Sequence, residues 1–138
     1  MDQLSNIMHK EHEGFFYEYF ENYSNDCNCM WRQNAAHQNV YSIERIDILP
    51  EFRRKGLAKK LLSETLKRIA VECPKACVEI TAEPDADSEL TMEDLVTFYE
   101  SLGFEKYQSL GTRVHLRLYL DDSVKPRTVY DNPSYFSF

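Results

Sequence analysis

No run of the 138-residue chain approaches the roughly 18 consecutive apolar residues that a membrane-spanning helix needs. The opening segment MDQLSNIMHKEHEG has neither a basic stretch nor an apolar core, so it does not read as a secretion signal. A cytoplasmic protein with no membrane partner is the expectation. Internal repeats, low-complexity tracts and Gly/Ser linkers are missing as well, which argues for one domain. Basic residues are in deficit, 16 against 23 acids for a net charge of −7, and this weighs against a nucleic-acid duplex as the main partner. An acidic body favours cationic partners instead, such as amines or basic protein patches. The cysteines, Cys27-x-Cys29 and Cys73-x-x-x-Cys77, lack the two-residue spacing of common zinc knuckles, and His9, His12, His37 and His115 are scattered. Free thiols and no metal are expected, although a fold that brought the two pairs together could still make a metal site.

What is present is an ordinary globular balance, 43% hydrophobic and 28% charged. From Gln3 to about Tyr23, the spacing of Leu4, Ile7, Met8, Phe15, Phe16, Tyr19 and Phe20 predicts an amphipathic helix, or two short ones broken at Gly14. Residues 22–28 are polar and turn-rich, Cys29 to Arg32 suits a short strand, and Asn34 to Asn39 a turn. Val40 to Leu49 alternates, is rich in β-branched residues and stops at Pro50, so a strand is expected there. A helix then starts near Gly56, with Leu57, Leu61, Leu62, Leu66, Ile69 and Ala70 as its apolar stripe and Pro74 as its stop. Ala76 to Ala82 reads as a strand. Thr91 and Asp94 resemble a capping box ahead of a helix that Gly103 closes. Phe104 to Leu110 and Thr112 to Leu120 form a hairpin around Gly111, with Val114, Leu116, Leu118 and Leu120 on one face. Strands alternating with helices imply an α/β or α+β sheet with covered faces.

The segment Arg53-Arg54-Lys55-Gly56-Leu57-Ala58 lies between a strand and a helix. A helix N-terminus carries unpaired N–H groups and partial positive charge, which suit a phosphate, and Gly56 lets an anion approach the backbone. The segment lacks both the Gly-Lys-Ser/Thr of a Walker loop and the three glycines of a dinucleotide fingerprint. On spacing alone, a solvated basic turn is an equal reading.

These residues carry a resemblance. Ile43 to Ile48, followed by Leu49-Pro50-Glu51-Phe52-Arg53-Arg54-Lys55-Gly56-Leu57-Ala58, resembles motif A of the GCN5-related N-acetyltransferase (GNAT) superfamily, (Q/R)-x-x-G-x-(G/A). Downstream, Phe98-Tyr99-Glu100-Ser101-Leu102-Gly103-Phe104 resembles the family's motif B, and the two together span residues 41–104. The resemblance implies a mixed, mostly antiparallel sheet with helices on both faces, splayed between its central strands, where acetyl-coenzyme A lies as co-substrate. It assigns the pyrophosphate to backbone N–H groups from Arg53 through Ala58, namely Arg53, Arg54, Lys55, Gly56, Leu57 and Ala58. The pantetheine arm would pair with backbone near Ile46, Asp47 and Ile48 as an added strand. Lys59 and Phe98 complete the implied coenzyme contacts. A domain over residues 1–120 follows, with an acceptor half at 1–40, a coenzyme core at 41–120 and a tail at 121–138.

Acetyl transfer to an amine needs a free lone pair on nitrogen, stabilisation of the oxyanion and a proton for the departing thiolate. Tyr99 occupies the position where the family places its general acid; a phenol with a pKa of about 10 stays protonated at neutral pH. The alternative for Tyr99 is a half-buried aromatic that packs the helix on the sheet. Glu44, expected by alternation to share a face with Ser42 and Ile46, matches the strand carboxylate that removes the amine's proton. Its alternative is a structural ion pair with Arg45 or a neighbouring strand. The Ile46 N–H is the implied oxyanion donor. Glu83, Asp85 and Asp87 belong to an acidic segment that either is merely solvated or draws in a cationic acceptor. Phe16, on the expected N-terminal helix, would line the acceptor pocket.

The introduction before motif A is shorter than is usual in the family, and Ala82-Glu83-Pro84-Asp85 stands where the family commonly has an Asn. The compact chain resembles stand-alone acetyltransferases of phage and bacterial genomes, which points to a protein lysine as acceptor, while the acidic segment would draw in a lysine or a polyamine by charge. The rival reading is a catalytically weak GNAT-fold protein that binds coenzyme A and docks on a basic partner through its acidic face. The aromatic tail with Tyr130, Tyr135, Phe136 and Phe138 could cover an apolar patch, swap into a homodimer or stay without fixed structure.

Overall fold

The computed structural model describes residues 6–53, 56–84, 90–121 and 123. They form seven strands and two helices, a mixed α/β fold whose strand pairings within each compact unit are antiparallel. The units comprise residues 1–74 and 75–138.

In the first unit, strands β1 (Ile7–His12), β2 (Phe15–Phe20), β3 (Asn28–Gln33) and β4 (Val40–Asp47) pair in chain order, and helix α1 (Leu57–Glu72) packs against β2, β3 and β4. The helix expected over 3–23 does not form; β1 and β2 make a hairpin in its place. Glu13 and Gly14 both adopt positive φ, 53° and 85°, as a two-residue type I′ connection requires, and they bring His12 opposite Phe15. Phe15-Phe16-Tyr17-Glu18-Tyr19-Phe20 is a run of strand-favouring aromatics. Phe16, Glu18 and Phe20 take the α1 side, and Phe15, Tyr17 and Tyr19 the other. Glu18 interrupts the apolar alternation of this strand, although it is itself buried.

Glu18 has no exposed surface. Its Oε2 accepts from His9 Nδ1 at 2.7 Å and from Trp31 Nε1 at 2.9 Å. Its Oε1 makes a close ion contact with Arg68 of α1, at an angle unlike that of an aligned hydrogen bond. Phe16 stacks on Trp31 at 4.5 Å between ring centroids and on His9 at 5.8 Å. Around this polar centre, Phe20, Cys29, Trp31, Tyr41 and Ile43 meet Leu57, Leu61, Leu62 and Ile69. Those four helical residues belong to the stripe the sequence predicts.

In the second unit, β7 (Arg113–Tyr119) lies between β5 (Cys77–Ala82) and β6 (Glu105–Leu110), with α2 (Met92–Ser101) against these strands. The capping box is present in full: Thr91 N donates to Asp94 Oδ2 at 3.0 Å, and Asp94 N to Thr91 Oγ1 at 3.1 Å. Hydrogen bonds to the carboxylate from the Thr91 backbone N–H and from the Thr91 side chain hold the Asp94 carboxyl below its usual range. Gly103, at φ 101°, ends the helix as expected. Val78, Ile80, Ala82 and Leu116 are buried with Val96, Tyr99 and Phe104. On the opposite sheet face, Glu79 accepts from Arg117 Nε at 2.9 Å and from the Tyr107 hydroxyl at 3.1 Å, and burial pushes that phenol up to about 12.

Removing Arg68 leaves a carboxylate without exposed surface short of its cationic partner. Arg68→Ala should lower the unfolding free energy by about 3 kcal/mol, the low end for a broken buried pair because the arginine side chain is itself 39% exposed. Urea denaturation reads this directly; a loss below about 0.5 kcal/mol, typical of surface substitutions, would show that the contact is ornamental.

Candidate active site

Strand β4 and the turn after it carry most of the implied coenzyme contacts. Beyond Asp47 the chain runs through Ile48 and Leu49 into a single 3₁₀ turn, Pro50–Phe52, held by Phe52 against Tyr23 with rings edge-on at 5.3 Å. The Arg53 Nε donates to the Ile48 carbonyl at 3.0 Å, folding the basic side chain back onto the strand end. Asp47 is paired with Arg45 at 2.6 Å. Arg54 and Lys55 lie outside the described residues.

Gly56 caps α1 with φ 74° and ψ 14°, a left-handed conformation that a side chain would strain, and no described residue apart from its chain neighbours lies within 4 Å of where its Cβ would stand. No side chain caps the N-terminus and no acid occupies the first turn. The opening N–H groups of the helix therefore carry their partial positive charge with neither a side-chain cap nor a first-turn acid to offset it. Leu57 is buried and anchors the turn, Ala58 is half-buried, and Lys59 is exposed. This arrangement fits a phosphate-bearing ligand: backbone donors, space above the glycine, and a lysine in the first turn.

Glu44 occupies a β-bulge. Ile43 pairs with Trp31 and Arg45 with Met30, so Glu44 is the extra residue between them. The bulge breaks the simple alternation expected for this strand. Ile43 and Ile46 share the α1 side through their partners Trp31 and Cys29, and so Ile46 does not share a face with Glu44. The Glu44 carboxylate instead accepts from Arg32 Nε at 2.8 Å, a cross-strand partner that the sequence reading left unnamed. Only the strand register reveals Arg32, because twelve residues separate it from Glu44.

Tyr99 sits on α2, 8% exposed, with its ring tilted on Phe98 at 5.5 Å and edge-on to Phe104 at 6.2 Å. Phe98 is half-buried beside it. Glu83, just past β5, is exposed and paired with Arg113 at 3.0 Å. Asp85 and Asp87 fall outside the described residues. Phe16 packs between Trp31 and His9 on the α1 side of its sheet rather than on a helix. Among the described residues, no group of three or more His, Cys, Asp or Glu side chains is arranged to hold a metal. No helix among them is long and apolar enough to cross a membrane.

Comparison with known proteins bears on the family and the fold. The family model for the acetyltransferase (GNAT) domain matches residues 11–106. Among solved structures, the chain is similar to a protein from Desulfovibrio desulfuricans described as an acetyltransferase of the GNAT family. The TM-score is 0.65 at 17% identity, over 78% of this chain and 70% of that one. It is also similar to the PaiA N-acetyltransferase of Thermoplasma acidophilum in complex with coenzyme A, with TM-score 0.56 and 17% identity over 76% of this chain and 59% of that one. A third likeness is to an aminoglycoside 6'-N-acetyltransferase complexed with coenzyme A, with TM-score 0.62 and 10% identity over 80% of this chain and 75% of that one. At such identities the likeness is one of fold. No curated protein matches the sequence.

The thiols bear on how a group could be transferred. Cys27 and Cys29 have no exposed surface, and burial pushes the Cys29 thiol up to about 12 and the Cys77 thiol up to about 11. Burial thus disfavours the thiolate at both Cys29 and Cys77, which makes these two groups poor nucleophiles. Cys73 is only partly buried. Under native conditions at pH 8, a maleimide should label Cys73 well before Cys29 and Cys77, as peptide mass spectrometry would show. Prompt labelling of Cys29 in the folded protein would contradict its burial. The raised thiol pKa also means that Cys29 favours the folded state below pH 9, and that this contribution is lost as pH rises from about 9 towards 12.

Proposed function

The chain belongs to the GNAT acetyltransferase family, and from that membership and the site geometry we propose that it acetylates a primary amine, a protein lysine or a polyamine-like acceptor, by direct attack in a ternary complex. Its activity class is acyl-coenzyme A-dependent N-acetyl transfer, with acetyl-coenzyme A as co-substrate. The observation that carries the reading is the start of α1, where left-handed Gly56, the uncapped N–H groups and the absence of a first-turn acid suit a pyrophosphate.

Gly56, Leu57 and Ala58 offer backbone N–H groups to the phosphates, with Arg53 and Lys59 adding positive charge. Backbone groups near Ile46 and Ile48 hold the pantetheine arm by strand-like pairing. The Ile46 N–H stabilises the oxyanion as the amine nitrogen bonds to the thioester carbon. Glu44, directly or through water, takes the proton the nitrogen loses. As the carbon–sulfur bond breaks, Tyr99 donates its hydroxyl proton to the thiolate and later recovers one from solvent. The raised pKa values of Cys29 and Cys77 disfavour an acyl-cysteine route through those two thiols. Most of the acceleration comes from holding two substrates together, and the general acid adds its own factor. The acidic excess of the chain, net −7, favours a cationic acceptor.

Thiol release from acetyl-coenzyme A with amines, polyamines and lysine peptides tests the reading; tight coenzyme binding without turnover on any of them would favour the rival binding protein. Tyr99→Phe should lower kcat by about 10² or more while coenzyme A affinity stays within about threefold. Unchanged turnover would remove Tyr99 from the mechanism. Gly56→Glu places a strained, negatively charged side chain at the phosphate approach, and calorimetry should detect no coenzyme binding; wild-type affinity would reject this loop as the pyrophosphate site.

A further inference from the structure

The side of the first unit's sheet away from α1 carries a row of rings, Phe15, Tyr17 and Tyr19, at alternate positions of β2. Each ring already holds a cation of the chain itself. Lys10 Nζ lies 5.3 Å from the Tyr17 centroid and 5.2 Å from that of Tyr19, and the Arg32 guanidinium carbon lies 5.5 Å from that of Phe15. Of these two cations Arg32 also meets Glu44, Nε to Oε1 at 2.8 Å. Glu44 is the carboxylate that the bulge sets out of register with its strand.

We propose that Arg32 is an internal stand-in for the acceptor's ammonium group, holding the place between the Glu44 carboxylate and the Phe15 ring until the acceptor displaces it. This inference rests on the reading of Glu44 as the group that receives the amine's proton. Three observations favour displacement over a permanent structural pair. The two side chains are accessible, Arg32 at 52% and Glu44 at 31%, so water and a competing cation can reach the contact. An exposed ion pair and an exposed cation–ring contact together hold the arginine by only about threefold to tenfold, which a substrate ammonium can overcome. The neighbouring Lys10, a primary ammonium with a four-carbon stem, lies over two rings of the same row, so this face already accepts the chemical group of a lysine or polyamine.

Displacement also explains how a carboxylate engaged at 2.8 Å in the resting protein becomes available to an amine proton. The arriving ammonium takes over the charge that Arg32 supplied, loses its proton to Glu44 or to water beside it, and leaves the neutral nitrogen against the thioester. Arg32 thus acts as a specificity-determining residue: cationic acceptors replace it, and neutral ones have no charge with which to do so.

Two measurements test this. In steady-state kinetics with a lysine peptide or spermidine, Arg32→Ala should lower the acceptor KM by about threefold to tenfold with kcat retained, and Arg32→Lys should return KM towards the wild-type value. An acceptor KM that is unchanged or raised in Arg32→Ala overturns the proposal. In the second, the Arg32 Nε–H signal is followed by NMR, assigned by its loss in Arg32→Lys. Saturating spermidine, added to wild-type protein with coenzyme A present, should move this signal to the position of a free arginine; a stationary signal overturns the proposal. Wild-type protein that releases no thiol with any amine, yet shows the Arg32 shift, would retain the cation site and reject acetyl transfer, so the two failures are distinguishable.

Discussion

A carboxylate with no exposed surface has to be surrounded by donors, and in the first unit Glu18 collects them from three different elements. His9 comes from β1, Trp31 from β3 and Arg68 from α1, while Glu18 itself belongs to β2. A slip of the β2 register by one residue would carry the carboxylate to the other sheet face and leave Trp31 and Arg68 without their acceptor. The buried polar centre therefore specifies one arrangement of hairpin, strand and helix where an all-aromatic core would tolerate several. Through α1 and the β3–β4 pairing, it also determines where Gly56 and the bulge at Glu44 stand.

The functional groups that this frame presents are largely backbone. The phosphate approach requires one residue in a left-handed conformation, a small residue after it and a helix that begins without a cap. The proposed strand-like contact to a pantetheine arm would need only an available strand end, whatever its side chains. Such requirements leave most positions free to change, which accounts for a shared fold at 10–17% identity with the three solved structures compared above. Acceptor recognition, as proposed, draws instead on side chains, namely the rings of β2, Glu44 and the cations over them.

Several elements were legible because their signals are local. The Thr91–Asp94 box, the stop at Pro74, the stripe from Leu57 to Ile69 and the turn at Gly103 each depend on residues within a few positions of one another. The same holds for motif A, whose glycine and small residue belong to a single turn. The hairpin β1–β2 differs from the expected helix for a physical reason: Phe15, Phe16, Tyr19 and Phe20 satisfy a helical stripe as well as a strand face, and Glu18 interrupts the apolar alternation of the strand. Once paired, the run is explained by Arg68 and Trp31, distant residues that make burial of Glu18 tolerable.

By itself, then, the sequence determined the family, the mixed α/β class, the start of α1 at Gly56 and helix α2 with both its caps, since each is written in short-range patterns or in a contiguous motif. Tertiary structure alone decided that the first residues pair as strands, that Glu44 stands on a bulge and that Arg32 is its partner. Those outcomes depend on strand register. Register is set by the sum of cross-strand contacts and buried charges, and no single stretch of the chain contains both sides of such a contact.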